Sequence, residues 1–335
     1  GRWPGGLTLN QVAMLHKGGT ADPEDRRPIV LLPVVYRIWA AVRARTFRAW
    51  LVRCGILQAE GPSRAADALA YSLALELEEA GVEGEVVAGL ALDWSKCYDR
   101  LPLDLLREVA EAAGLPQAMV GPMLAAYGHE RFLCCDGLAG RKGLPSCGLT
   151  AGCPAATDWL ALLMSPWLFE ARAVSDTVTA RAYVDDLTAW AKGAGCVEVV
   201  GALVALAEKF EVDADLRIHR GKTRGFATDP AAAVELALLG SLEVDAEFRD
   251  LGVRQVAMGS GKFEKRTDRE LGAIDRLGRV AVLALPFGQK THVAAASGVS
   301  AGVYGIAAHP VDGGELARLR SAVKRTLLRG SVEAS

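Results

Sequence analysis

The sequence predicts an α+β fold in which an antiparallel sheet is backed by helices on one face, in the split βαβ order. Two stretches carry that prediction. The run "EVVAGLALD" (85–93) is apolar almost throughout and ends in one acid, Asp93, the pattern of a strand buried on both faces. The stretch "AYVDDLTAW" (182–190) alternates on either side of Asp185 and Asp186, which reads as two short strands joined by a tight turn with the acids at its tip. Helical patterns fall between and after these segments, giving strand, helix, hairpin, helix, strand.

Taken in order, "RRPIVLLPVVYRIWAAVRARTFRAWLVRCG" opens with a short β-branched run and becomes a helix after Pro33, with Val34, Ile38, Ala41, Val42 and Leu51 as its expected buried side. A second helix, "RAADALAYSLALELEEAG", is expected to stop at Gly81. After the Asp93 strand, "DRLPLDLLREVAEAAG" places Pro102 where a first-turn proline is tolerated, apolar residues at helical spacing, and Gly114 at the stop. Further helices are expected at "CPAATDWLALLMSPW" and "VEVVGALVALAEKF", and a closing strand at "VDADLRI". Beyond about residue 255 the chain is basic and helical in "KRTDRELGAIDRLGRVAVLAL" and "GGELARLRSAVKRTLLRG".

At 335 residues, 51% hydrophobic and 23% charged, the chain has the composition of a globular protein with room for two or three cores. It starts at Gly1 with no basic-then-apolar leader, so the expectation is a segment of a larger polypeptide. No apolar run approaches the roughly 18 residues of a membrane span, so no membrane partner is expected. Seven cysteines without C-x-x-C spacing point to neither a disulfide framework nor zinc, and an intracellular, reducing location follows, nuclear in a eukaryotic host. The net charge of −2 hides an asymmetry. Residues 1–57 hold nine Lys/Arg against three acids, residues 254–335 hold thirteen against seven, and the middle carries −14. Basic ends around an acidic centre suit a protein that grips a polyanion and holds cations centrally, although solvated helix faces would give the same totals.

Two adjacent carboxylates at a strand tip repel unless a cation or a shared proton intervenes. The alternative is a solvated Asp-Asp turn, since aspartate favours turns for local reasons. In the split βαβ order, the end of the "VVAGLALD" strand neighbours the hairpin tip, so Asp93 is expected to meet Asp185 and Asp186. Three carboxylates suit two divalent ions that activate a hydroxyl and stabilise charge on a phosphate. Hard oxygen ligands without His or Cys favour Mg²⁺, with Mn²⁺ as a substitute.

At these residues the chain resembles reverse transcriptases of the non-LTR retrotransposon and group II intron type. "LALDWSKCYDRLP" is similar to their first catalytic motif, "AYVDDL" to the Y-x-D-D box, and "EDRRPIVLLPVVYRIWAAV" to a fingers motif. "GLTAGCPAATDW" is similar to the glycine-rich template and nucleotide motif, "LRIHRGKTRG" to the lysine-bearing motif, and "FRDLGV" to the F-x-x-L-G turn before the thumb. The resemblance runs from about Val12 to Val253. It implies a right-hand polymerase with fingers at 1–85 and an excursion about 115–165, a ferredoxin-like palm at 86–255, and a helical thumb at 256–335. It further implies RNA-directed DNA polymerase activity on an RNA template, a DNA or RNA primer and dNTPs, within a retroelement whose endonuclease would lie elsewhere.

By the same resemblance Asp93, Asp185 and Asp186 bind the metal. Tyr98 packs under the incoming sugar and leaves no room for a 2′-hydroxyl, the group that distinguishes RNA from DNA precursors. Arg27 clamps the triphosphate, with Lys17 a second candidate. Lys222 protonates the departing pyrophosphate, and Ala151 and Gly152 occupy nucleotide-binding positions. The plain alternatives are a core aromatic for Tyr98 and an exposed turn lysine for Lys222. A P-loop reading of "GKT" fails because Leu216 stands where glycine is required.

Departures fall in the nucleotide pocket. Thr150 and Ala151 replace the usual Pro-Gln, Ala156 and Thr157 replace Ser-Pro, and "EGPSRAADAL" keeps Arg64 without Gly-Phe-Arg. A catalytically silent or decayed nucleic-acid-binding module is therefore the rival reading. A palm-type nucleotidyl cyclase or two-metal nuclease would leave the fingers and thumb resemblances unexplained.

Overall fold

In the computed structural model, residues 3–16, 26–57, 66–240, 242–258, 267–308 and 313–328 are described. The chain divides into two compact units, residues 1–61 with 85–245, and residues 62–84 with 246–335. The helix at 66–83 thus belongs with the C-terminal part of the chain.

The first unit begins with β1 (Leu9–His16) and β2 (Arg26–Leu31), an antiparallel pair, followed by α1 (Val34–Arg53). The helix starts where Pro33 ends the strand, as expected, but it buries another face. Tyr36, Ala40, Ala44, Phe47 and Leu51 are buried, whereas Val34, Ile38 and Val42 are each more than half exposed. The two alanines leave room for close helix contact, and Phe47 meets Trp159 edge-on at 5.3 Å. In the other unit, α2 (Ala66–Glu83) runs past Gly81 and ends at Gly84, whose φ of +71° suits a left-handed helix stop.

β3 (Val87–Leu92) is the centre of the first unit's larger sheet. After it come the short α3 (Cys97–Arg100), α4 (Leu103–Ala112), which follows Pro102, and α5 (Gln117–Tyr127). The hairpin β4 (Glu130–Cys135) and β5 (Leu138–Gly143) completes a four-stranded sheet of order β2-β1-β4-β5, with β1 and β4 parallel. α6 (Ala156–Ala173) precedes β6 (Val178–Tyr183) and β7 (Asp186–Lys192), and α7 (Cys196–Asp213) follows.

The strand expected at "VDADLRI" does not form. α7 continues to Asp213, Asp215 takes a left-handed φ of +50°, and only Ile218 makes an isolated bridge, to Trp94. The sheet is closed instead by β8 (Arg224–Ala227), which is antiparallel to β3. After α8 (Pro230–Leu238), β9 (Glu243–Val244) adds a parallel edge, and the order becomes β6-β7-β3-β8-β9. β3 therefore lies between the hairpin's second arm and the last long strand, as split βαβ topology requires. α7 packs on β3 and β7, and α6 on β6.

Gly89 shows how closely these strands approach. A Cβ there would lie 2.4 Å from the Phe226 ring and 2.7 Å from the Ala189 carbonyl, so this central position admits no side chain.

The second unit pairs β10 (Glu247–Asp250) with β11 (Val253–Val256), and Gln255 donates to the Ala70 carbonyl of α2 at 2.9 Å. α9 (Thr267–Ala281), α10 (Phe287–Ala294), a π-helical turn at Ala295–Val299, α11 (Ser300–Val303) and α12 (Gly313–Leu328) follow. Ala273, Leu277, Ala294, Leu319 and Ala322 form their core. The two helices expected beyond residue 255 are present as α9 and α12, with the α10–α11 segment between them. Among the described residues no helix is long and apolar enough to cross a membrane, and all seven cysteines are free thiols.

Candidate active site

The site is built by strand register. β3 and β7 pair antiparallel through Leu92↔Leu187, so the next step beyond β3 brings Asp93 alongside Asp186, the first residue of β7. Within the hairpin Tyr183 pairs with Asp186, leaving Val184 and Asp185 as a two-residue turn. Val184 has φ +61°, a conformation that β-branched residues rarely adopt and that costs about 1–3 kcal/mol. The surrounding sheet thus holds the aspartate tip in a conformation the local sequence disfavours.

Asp93 is fixed from the other side by the segment 217–223. Its carbonyl accepts from the His219 amide at 2.7 Å, and its amide donates to the Thr223 hydroxyl at 3.2 Å. The Ser95 amide donates to the Arg217 carbonyl at 2.7 Å. That segment is tied to α7, because Glu211 accepts from the Ile218 amide at 2.7 Å and from Arg220 at 2.9 Å. Lys222, exposed at the same turn, places its Nζ 3.3 Å from Asp93 Oδ2.

Electrostatics link the remaining residues. The Asp185 carboxyl is held above the usual aspartate range, first by burial and then by the Asp93 charge. Its own backbone amide, Arg27 and Lys222 oppose that shift. The Asp185 field also reaches two neighbours at the start of α3. Burial pushes the Tyr98 hydroxyl and the Cys97 thiol up, and Asp185 adds to both. One carboxylate is therefore sensed by Asp93, Arg27, Lys222 and Tyr98.

The glycine-rich segment is zipped against the same region. The Leu149 amide donates to the Tyr98 carbonyl at 2.7 Å, and the Gly148 amide to the Leu101 carbonyl at 2.8 Å. The Ala151 carbonyl accepts from the Val30 amide of β2 at 3.3 Å, three residues from Arg27. Gly152 has φ +104°, and a Cβ there would meet the Val30 carbonyl at 3.3 Å, which explains glycine at this position. Lys17 and Arg64 lie outside the described residues.

Among the described residues no three His, Cys, Asp or Glu side chains stand grouped as a ready-made metal site. The residues that register and charge bring together nevertheless offer a donor set of carboxylate oxygens alone, which suits a hard divalent cation. Repulsion between Asp93 and Asp185, now partly offset by Lys222, is what such a cation would relieve.

Two residues escaped the sequence reading. Thr223 is buried, and its hydroxyl holds the Asp93 backbone; its place next to Lys222 in "GKT" was the one available signal. Arg131 donates to the Tyr127 carbonyl at 2.6 Å and reaches the Gly148 carbonyl at 3.5 Å, bracing the glycine-rich segment. Nothing in sequence spacing announces that contact.

No protein-family model matches the chain, and no curated protein is similar to it in sequence at a significant level. Its fold is similar to that of solved telomerases. Apo telomerase from Candida tropicalis superposes with a TM-score of 0.55 at 9% identity over 98% of this chain and 62% of that one. Telomerase from Candida albicans in complex with a fragment of telomeric RNA gives 0.53 at 11% identity over 96% and 58%. A truncated Candida tropicalis telomerase gives 0.52 at 10% identity over 75% and 54%. The chain spans a little over half the length of these structures, and the likeness is one of fold.

Proposed function

We propose that this chain is an RNA-directed DNA polymerase, a reverse transcriptase of the non-LTR retrotransposon or group II intron type. In this reading the five-stranded sheet is the palm, the β1–β2 hairpin belongs to the fingers, and the helices after residue 267 form the thumb. The observation that carries it is the β3–β7 register, which delivers Asp93 to the Val184–Asp185 turn within reach of Lys222 and under the field of Arg27. Telomerase, whose fold this chain shares, is seen in complex with telomeric RNA, which supports RNA as a partner.

Asp93, Asp185 and Asp186 would hold Mg²⁺, as two ions, or Mn²⁺ in its place. When bound, these would lower the pKa of a primer 3′-hydroxyl and stabilise charge on the phosphate. Arg27 holds the triphosphate of the incoming dNTP by its planar fork. Lys222, beside Asp93, would donate a proton to the departing pyrophosphate. Tyr98, backed by Leu149, excludes the 2′-hydroxyl of a ribonucleotide. Ala151 and Gly152 bring backbone rather than a glutamine side chain to the nucleotide. The parent would be a retroelement protein with its endonuclease elsewhere, working inside the cell, and in the nucleus if the host is eukaryotic.

One observation favours the second reading, a silent nucleic-acid-binding module: among the described residues the acids do not stand grouped in threes. Primer extension on an RNA template with Mg²⁺, run with deoxynucleotides and ribonucleotides in parallel, separates the two. Extension by deoxynucleotides that disappears in Asp185→Asn supports the polymerase. Binding without extension supports the module, and equal use of ribonucleotides removes the role given to Tyr98.

A further inference from the structure

The second unit contains a cleft of about 770 Å³ built around the β10–β11 turn. Asp250 pairs with Val253, so Leu251 and Gly252 form a two-residue turn, both with left-handed φ, at +49° and +75°. The turn docks through its carbonyls. Leu251 accepts from the Tyr304 hydroxyl at 2.7 Å, and Gly252 accepts from the Arg269 guanidinium, which lies 4.7 Å over the Tyr304 ring.

Three guanidiniums line this cleft from two elements, Arg249 from β10 and Arg269 and Arg276 from one face of α9. No carboxylate among the described residues lines it. Among the described residues the Arg249 and Arg276 side chains have no hydrogen-bond or ion-pair partner. The opposite wall is the small-residue face of the α10–α11 segment around its π-helical turn, a feature that often marks functional sites. That segment lies close to α9 because Gly298 meets Leu277 where a Cβ would stand 2.5 Å away. Ser297 and Ser300 spend their hydroxyl protons on the Val293 and Ala296 carbonyls at 2.6 Å each. Donors into the cleft are therefore mainly cationic.

We propose that this cleft is a binding site for a small polyphosphate, the size of tripolyphosphate or the phosphate chain of a nucleotide. The volume falls within the roughly 300–1,000 Å³ of small-ligand sites. Guanidinium forks are the preferred partners of clustered phosphate oxygens. Cations that follow a nucleic-acid strand are spread along a surface, whereas these converge on one space. All the lining residues belong to the second unit, and the proposal does not depend on the polymerase reading.

Isothermal titration of the whole chain with inorganic tripolyphosphate tests this. The expected result is an equivalent bound that is weakened about tenfold or more in Arg249→Gln and in Arg276→Gln and persists in Arg27→Gln, any further equivalent lost in Arg27→Gln belonging to the nucleotide site. Arg276→Lys, which keeps the charge and loses the fork, falls between. Both arginines are exposed, so unchanged melting temperatures will show that the variants fold. The proposal is overturned if tripolyphosphate does not bind, or if Arg27→Gln abolishes binding while the cleft variants keep it. It is also overturned if an unphosphorylated single-stranded oligonucleotide binds in a way that depends on Arg249 and Arg276 while tripolyphosphate does not.

Discussion

Three hairpins among the described residues end in two-residue turns, and two of those turns bend a bulky residue into a left-handed conformation. At the β6–β7 tip it is Val184, and at the β10–β11 tip it is Leu251. The first presents charge, with Asp185 in the field of Asp93 and Asp186 next to Asp93 in strand register. The second presents backbone, since the Leu251 and Gly252 carbonyls hold Tyr304 and Arg269. The same local geometry therefore serves charge in one unit and helix docking in the other. Changing a side chain at the first should remove chemistry and spare the fold, whereas changing the second should do the reverse.

The largest expected effect is on activity. Asp185→Asn or Asp93→Asn should lower primer extension by about 10³-fold, the scale set by several kcal/mol of lost charge stabilisation, with folding intact by circular dichroism. Next in size is a test of the sheet that supports the first turn. Gly89→Val would place a side chain into the Phe226 ring and the Ala189 carbonyl, and should destabilise by about 3 kcal/mol in urea unfolding. The counterpart in the other unit, Gly252→Val, forces a β-branched residue to φ +75° within 3.2 Å of Arg269 and should cost about 2 kcal/mol. Tyr304→Phe deletes only the hydrogen bond to Leu251 and should cost about 1 kcal/mol by the same measurement.

A pH measurement sharpens the contrast further. The native Asp185 carboxyl titrates above its unfolded value because of burial and the Asp93 charge, so between the two values the native state binds more protons than the unfolded state. Stability from this group is therefore lost as pH rises through that window. Asp185→Asn should raise the metal-free melting temperature at neutral pH, and the gain should shrink as pH falls toward the ordinary aspartate range. Added Mg²⁺ should stabilise the parent chain and leave Asp185→Asn unmoved.

The elements legible in the sequence are those that short-range pattern determines. The apolar run of β3, the alternation around Asp185 and the proline-started helices α1 and α4 all appear at their expected places. What was not legible depended on distant partners. The alternating "VDADLRI" looked like a strand, yet α7 absorbs its start, and the short, glycine-containing β8 takes its place because β3 offers it a partner. The valines and isoleucine of α1 looked like core, but contact with α6 selected the alanine and aromatic face. In the candidate site the motifs single out the acids, Lys222 and Tyr98 from the sequence. Thr223 and Arg131 are not singled out, since each acts on the backbone of a residue far from it or unremarkable in sequence.

The most direct measurement is single-nucleotide primer extension on an RNA template with deoxynucleotides and Mg²⁺, comparing the parent chain with Asp185→Asn. The expected result is extension by the parent and none above background by the variant, with both binding the primer-template equally. Extension that survives in Asp185→Asn, or a parent that binds the primer-template and never extends it, would contradict it.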